Sequence, residues 1–145
     1  MVMVLTIPKN KHLRNRWRYD INWRFGMKLV FLNSQANTPK EQKVLEEESR
    51  IFGDIIQCDV EDGHRRLGYK ILCGHIWSYQ HCAGVRHVIQ SDDSVIIDTD
   101  KMVNILLQDT ETEWENLIAC PTKTHRARVR QIITFTNINN PHCVI

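Results

Sequence analysis

Apolar residues come along this chain in short bursts separated by longer amphipathic stretches, the rhythm of strands alternating with helices. Val2-Met-Val-Leu-Thr-Ile7 is such a burst, stopped by Pro8, and predicts a short buried strand. From Lys9 to Arg18 the chain turns basic, and Leu13 and Trp17, four apart, predict an amphipathic helix. Gly26-Met-Lys-Leu-Val-Phe-Leu-Asn33 is nearly continuous in apolar residues, which predicts a central second strand. Thr38-Pro39-Lys40-Glu41 is a capping box with proline at the first helical position. The helix it opens carries Val44, Leu45, Glu48, Ile51 and Phe52 on one side and closes at Gly53. Glu48 falls among apolar positions, so it is either half-buried with a partner or at the edge of the stripe.

The second half of the pattern repeats the first. Asp54-Ile-Ile-Gln-Cys-Asp59 predicts a third short strand, and a helix follows from about His64 to Cys82. Leu67, Ile71, His75, Trp77 and Cys82 give that helix a broad apolar surface, while Gly68 and Gly74 either weaken it or allow close packing. A fourth strand rises to Asp92 and Asp93; after Ser94 the apolar pattern resumes at Val95-Ile96-Ile97. Asp98 or Thr99 can cap a further helix with Met102, Val103, Leu106 and Leu107. Beyond Asp109 the pattern decays, with Glu115 to Cys120 and Arg130 to Asn137 as further strand stretches. Strands alternating with helices of this length predict right-handed βαβ units and a mainly parallel sheet, an α/β domain over residues 1–145.

Composition narrows the classes. With 145 residues, 42% hydrophobic, and few glycines and prolines, the chain can build a real core and is not disordered. Net charge is only +2, and the acidic run Glu46-Glu47-Glu48 opposes a nucleic-acid role, although Trp17, Tyr19 and Trp23 interleave with arginines. No apolar run approaches the roughly 18 residues of a membrane span, and the first residues are too short for a signal peptide. The five cysteines (58, 73, 82, 120 and 143) show no Cys-x-x-Cys spacing. Cys73 and Cys82 fall on one predicted helix, too far apart to bridge each other, so pairing and redox compartment stay open.

Candidate chemistry concentrates at Asp92-Asp93. A buried strand ending in two carboxylates places them where ligands sit in open α/β sheets. Adjacent carboxylates repel, so a site that keeps both holds a cation or points one into water. A divalent metal with a phosphate-bearing substrate uses both; taken alone, an acidic turn is the ordinary reading. On an extended strand, residues 92 and 94 share a face and 93 points the other way. Arg14 and Arg18, one turn apart, are candidates to grip a diphosphate, against the plainer reading of a solvated basic face. Lys70 can snorkel to a site or to solvent, solvent being the default. No Gly-x-x-x-x-Gly-Lys-Ser/Thr exists, which nearly eliminates a P-loop enzyme.

Several stretches, in order, resemble the β-1,3-galactosyltransferase-like family of Golgi hexosyltransferases. Arg14-x-x-Trp17-Arg18 is similar to the family's Arg-x-x-Ile-Arg, and Lys28-Leu-Val-Phe-Leu32 to its second strand. Glu48-Ser49-x-x-Phe52-Gly53-Asp54-Ile55 resembles Glu-Ser-x-x-Tyr-x-Asp-Ile. Asp62-x-His64-x-Arg66-Leu67-Gly68-x-Lys70 follows Asp-x-Tyr-x-Asn-Leu-Thr-x-Lys and keeps Asp62, Leu67 and Lys70. Cys82 stands where the family has a cysteine before its acidic motif, and Asn140-Pro141-His142-Cys143 is similar to Tyr-Pro-x-Tyr-Cys.

The resemblance implies a GT-A-like, Rossmann-related fold, here the amino-terminal part of the catalytic domain, truncated at the C-terminus. It implies transfer of galactose or an N-acetylhexosamine from a UDP-sugar to a glycan, glycoprotein or glycolipid acceptor, with inversion, in the Golgi lumen. Mn2+ or Mg2+ would be held at Asp92 and Asp93, with Arg14, Arg18, Asp62 and Lys70 at the donor. The family's Asp-x-Asp falls on Asp92-Asp93-Ser94, so its second acidic position is a serine, and the family's catalytic base has no counterpart here. The alternative is an inactive fragment or degenerate paralogue serving as a non-catalytic binding or structural domain.

Overall fold

A computed structural model describes residues 1–20, 26–107, 118–119 and 132–134. Trp23, the stretch 140–143 and the flanks of the two late strand stretches lie outside the described residues. The apolar bursts become strands β1 (Val2–Leu5), β2 (Leu29–Asn33), β3 (Ile55–Gln57) and β4 (Val88–Asp92). Helices α1 (Lys11–Asp20), α2 (Pro39–Phe52) and α3 (Leu67–His81) connect them, a 3-10 turn at His64–Arg66 leads into α3, and α4 (Thr99–Leu107) follows β4. Two short strands, β5 (Ile118–Ala119) and β6 (Ile132–Thr134), complete a sheet of order β3-β2-β1-β4-β6-β5. β1, β2, β3 and β4 are parallel, and β6 runs antiparallel to both β4 and β5. The architecture is α/β with a mainly parallel sheet.

Strand alternation divides the core. Val2, Val4, Leu29, Phe31 and Ile89 face one side and pack with Trp17 of α1 and Met102 and Val103 of α4. Met3, Val30, Leu32 and Val88 face the other, against Trp77 of α3. β2 is buried along its whole length between β1 and β3, which explains its unbroken apolar run.

The helices depart from their predicted faces. α3 buries Lys70, Gly74 and Ser78 most deeply; of the apolar set expected of it, Leu67, Ile71, His75 and Trp77 are half-buried and Cys82, just past its end, is fully buried, while Tyr69, Leu72, Ile76 and Tyr79 are exposed. The reason is proximity: a Cβ on Gly74 would lie 2.3 Å from Leu32 Cδ1 and 2.7 Å from Met3 Sδ. The helix approaches the sheet closely enough that only small or slender side chains fit beneath it. In α2 only Leu45 and Glu48 are buried, while Val44, Ile51 and Phe52 stay largely exposed. Its ends follow the sequence: Thr38 Oγ1 accepts from Glu41 N–H at 3.2 Å, and Gly53 takes the left-handed conformation with φ 65°. Asp98, rather than Thr99, caps α4, accepting from the Lys101 N–H at 3.0 Å.

Candidate functional site

The parallel strand order reverses between β1 and β4, with β2 and β3 on one side of β1 and β4 on the other. Clefts in open α/β sheets form at that switch, beyond the carboxyl ends of the strands. A cleft of about 370 Å3 lies there, lined by Thr6 and Ile7 after β1, Ser34 after β2, Asp92 and Asp93 at the end of β4, and Asp62 and Lys70 across from them.

The sheet decides the geometry of the two aspartates. Asp92 pairs in register with Leu5 and is the last residue of β4. Val95 N–H then bonds back to Asp92 C=O at 3.2 Å, so the chain turns at once. The face alternation expected for 92, 93 and 94 therefore does not apply: Asp92 and Asp93 both line the cleft, whereas Ser94 is exposed outside it. Asp93 is the fixed member, 8% exposed, its Oδ2 accepting from Thr6 Oγ1 at 2.6 Å and Asn10 Nδ2 at 2.8 Å. Its backbone is pinned too, because its N–H bonds Leu5 C=O at 3.0 Å and its C=O accepts from Trp17 Nε1 at 2.9 Å. Asp92 is the exposed member, at the turn. Burial, then the neighbouring Asp93 charge, raises its carboxyl above the ordinary carboxylate range.

Lys70 does not go to solvent. It is 5% exposed, and its Nζ donates to Thr6 C=O at 2.6 Å and Ser34 Oγ at 3.1 Å. Ser34 Oγ lies 3.5 Å from Asp62 Oδ1, so a lysine, a serine and an aspartate run along one wall. Burial lowers the Lys70 pKa, opposed by the charges of Asp62, Asp93 and Asp92. Arg66 also lines the cleft, with its guanidinium 5.9 Å from the Tyr69 ring centroid. Three carboxylates (Asp62, Asp92 and Asp93) thus line the cleft with two cations, Lys70 and Arg66. That excess of negative charge suits a divalent cation better than a bare diphosphate.

Among the described residues, no group of three His, Cys, Asp or Glu side chains is placed to hold a metal. Asp92 and Asp93 are two hard oxygen donors whose mutual repulsion a cation would relieve, and Asp93 has its Oδ1 uncommitted to Thr6 or Asn10. The pair fits a cation whose remaining ligands are phosphate oxygens and water.

Arg14 and Arg18 are placed elsewhere. Arg14 is fully buried; its Nε and Nη2 meet Glu48 at 2.8 and 2.6 Å, and its other donors go to the carbonyls of Ile7 and Pro8 and to Asn33. Arg18 binds Asp54 through two donors at 2.7 Å each and Glu48 at 2.8 Å, and stacks on Phe52 with 3.9 Å to the ring centroid. Both guanidinium groups are consumed by carboxylates from α2 and the turn after it, so neither offers donors to the cleft as expected. Glu48 is accordingly buried with partners, the first of its two sequence alternatives.

Of the six predicted site residues, then, Asp62, Lys70, Asp92 and Asp93 come together and the two arginines do not. Sequence reasoning missed Thr6, Asn10 and Ser34, which hold Asp93 and Lys70 in place. Thr6 and Ser34 had a signal, a polar residue directly after a buried strand; Asn10 had none.

The sequence profile described as galactosyltransferase matches residues 9–139. Over 117 residues the chain is 29% identical to human beta-1,3-galactosyltransferase 4, covering 74% of this chain and 31% of that protein. It is 30% identical over 98 residues to mouse beta-1,3-galactosyltransferase 1, covering 66% of this chain and 30% of that one. To the Pan paniscus beta-1,3-galactosyltransferase 5 it is 31% identical over 86 residues, covering 59% of this chain and 29% of the relative. The chain matches about a third of the length of these curated relatives.

Proposed function

The chain belongs to the galactosyltransferase family, and from that premise we propose that its cleft binds a UDP-sugar through a divalent cation at Asp92 and Asp93. The relatives' names carry the reaction class, transfer of galactose in β-1,3 linkage, and a glycan is the acceptor such a reaction requires. A GT-A-like site agrees with the cleft's place at the reversal of strand order. The single observation that carries the reading is the convergence of Asp62, Lys70, Asp92 and Asp93 on that cleft from three separate parts of the chain.

A bound Mn2+ or Mg2+ would screen the charge that develops on a departing UDP. Asp93, fixed by Thr6, Asn10 and Trp17, supplies a preorganised oxygen that needs no rearrangement on binding. Asp92, exposed beside it, would supply the second carboxylate oxygen. Lys70 holds the ends of β1 and β2 together and sets a positive charge beside the carboxylates. Operation in the Golgi lumen agrees with a disulfide between Cys58 and Cys73, which persists in oxidising compartments.

A second reading is binding without transfer. Ser94 favours it, since it adds no third carboxylate and faces away from the cleft. Calorimetric titration with UDP, with and without Mn2+, tests donor binding directly. Metal-dependent UDP affinity that is lost in Asp92→Ala and Asp93→Asn is expected. Equal affinity with and without metal, or no loss in either variant, would overturn it. Release of galactose from UDP-galactose then separates transfer from binding alone.

A further inference from the structure

Cys58 directly follows β3, is almost completely buried, and is disulfide-bonded to Cys73 in α3, 15 residues later in sequence. The loop so closed contains Asp62, Gly63, His64, Arg66, Leu67 and Lys70, nearly half the residues that line the cleft. Among the described residues β3 is a three-residue edge strand paired with β2 alone, and no side chain from Asp59 to Arg66 is buried. The loop's backbone ties are Cys58 N–H to Asn33 C=O at 2.8 Å, Gln35 N–H to Val60 C=O at 2.9 Å, and short turns inside the loop, and the Gln35 side-chain amide donates to Asp59 Oδ1. The Asp62 contact with Ser34, at 3.5 Å, is at the limit of a hydrogen bond.

We propose that the Cys58–Cys73 disulfide is a positioning clamp that holds the Asp62–Lys70 wall at its working distance from Asp92 and Asp93. The proposal rests on the donor-binding reading above. The geometry explains how a bond outside the cleft acts inside it. Cys58 Sγ lies 3.8 Å from Lys70 C=O, so the bridge fixes the turn of α3 that carries Lys70. From there Lys70 Nζ spans to Thr6 and Ser34, and Ser34 in turn faces Asp62. Opening the bridge frees one end of this chain of contacts. A dithiol opens it by supplying two electrons and two protons, giving two cysteine thiols and a cyclic disulfide of the reductant. The cleft is therefore competent only while the bridge is oxidised.

The test compares the full chain with its Cys58→Ala/Cys73→Ala form at low temperature, each first checked for folding by circular dichroism. UDP with Mn2+ is titrated, and hydrogen exchange is followed by mass spectrometry. Because Cys82 is also disulfide-bonded, the double variant rather than a reductant assigns the effect. Expected is a loss of UDP affinity of roughly tenfold or more, the low end of what removing outer-shell support costs a ligand site. Exchange should quicken over residues 59–66 while β1, β2 and β4 stay protected. Unchanged affinity and unchanged exchange, with only a lower melting temperature, would make the bridge a plain stabiliser and overturn the clamp. If the parent binds no UDP, the donor reading falls and the exchange arm alone judges the clamp. If the double variant does not fold, the folded parent is reduced partially with dithiothreitol, and the comparison uses the condition in which alkylation mapping finds Cys58 and Cys73 open and Cys82 still bridged.

Discussion

Truncating Glu48 to alanine decides whether Arg14 and Arg18 are structural or poised for a ligand. Glu48 and Arg14 are both fully inaccessible, joined by two hydrogen bonds of 2.8 and 2.6 Å, and Arg18 adds a third at 2.8 Å. In Glu48→Ala, Arg18 retains Asp54, but Arg14 keeps only two carbonyls and Asn33 for a buried positive charge. Removing one partner of a buried ion pair costs about 3–5 kcal/mol, because the other charge is left uncompensated. Against a total stability of about 5–15 kcal/mol this is a large fraction. At about 2–4 °C per kcal/mol for a chain near this size, melting should fall by roughly 6–20 °C. Urea denaturation followed by circular dichroism gives the free energy. The companion Arg14→Met/Glu48→Leu should regain most of the loss, since buried pairs replaced by packed apolar groups are often neutral. A single variant within about 1 kcal/mol of the parent, or a double variant no better than the single, would refute this account. The same network has a pH signature. Burial pushes the Glu48 carboxyl up, but the hydrogen bonds and charges of Arg14 and Arg18 outweigh it, and the net shift is downward. Its stabilisation is therefore complete above the unfolded value of about 4.3 and is lost as pH falls through the lower folded value. Arg18→Met, finally, should leave UDP affinity unchanged; its loss in a folded variant would return that arginine to the cleft.

Gly74→Ala should cost about 1–3 kcal/mol by overpacking, since the new methyl meets Leu32 and Met3, and Leu32→Val in the same chain should recover part of it in a denaturant titration. Asp92→Asn should raise the melting temperature at neutral pH while abolishing Mn2+-dependent UDP binding. A carboxyl held above its unfolded pKa loses stability as pH rises between the two values, and the amide removes that loss; a lower melting temperature would contradict the burial and the Asp93 repulsion that raise it. Lys70→Met should cost about 1.5–3 kcal/mol through the lost charged hydrogen bonds to Thr6 and Ser34, and should weaken UDP binding; unchanged stability by urea titration would mean these contacts do not hold β1 to β2.

The sequence by itself determined the succession of strands and helices, the parallel sheet, the buried centre at β2 and both ends of α2. Each depends on local information: apolar periodicity, a capping box, and a glycine where the backbone turns left-handed. It also placed Asp92 and Asp93 at the carboxyl end of a buried strand, because an apolar run ending in acid announces that end. What it could not determine was the fate of each charge. Arg14 and Arg18 resemble ligand-binding residues until Glu48 and Asp54, 34 and 36 positions away, neutralise them. Lys70 resembles a surface lysine until α3 comes down on the sheet and turns its ammonium towards Thr6, 64 residues earlier. Asp93 reaches the cleft only because β4 ends at Asp92, a point set by its register with β1. Cys58 found Cys73 for the same reason, since the sheet and helix bring their α-carbons to 6.1 Å. Periodicity states which face a residue occupies, but a charge, a thiol or a turn takes its role from partners that only the packed sheet brings within reach.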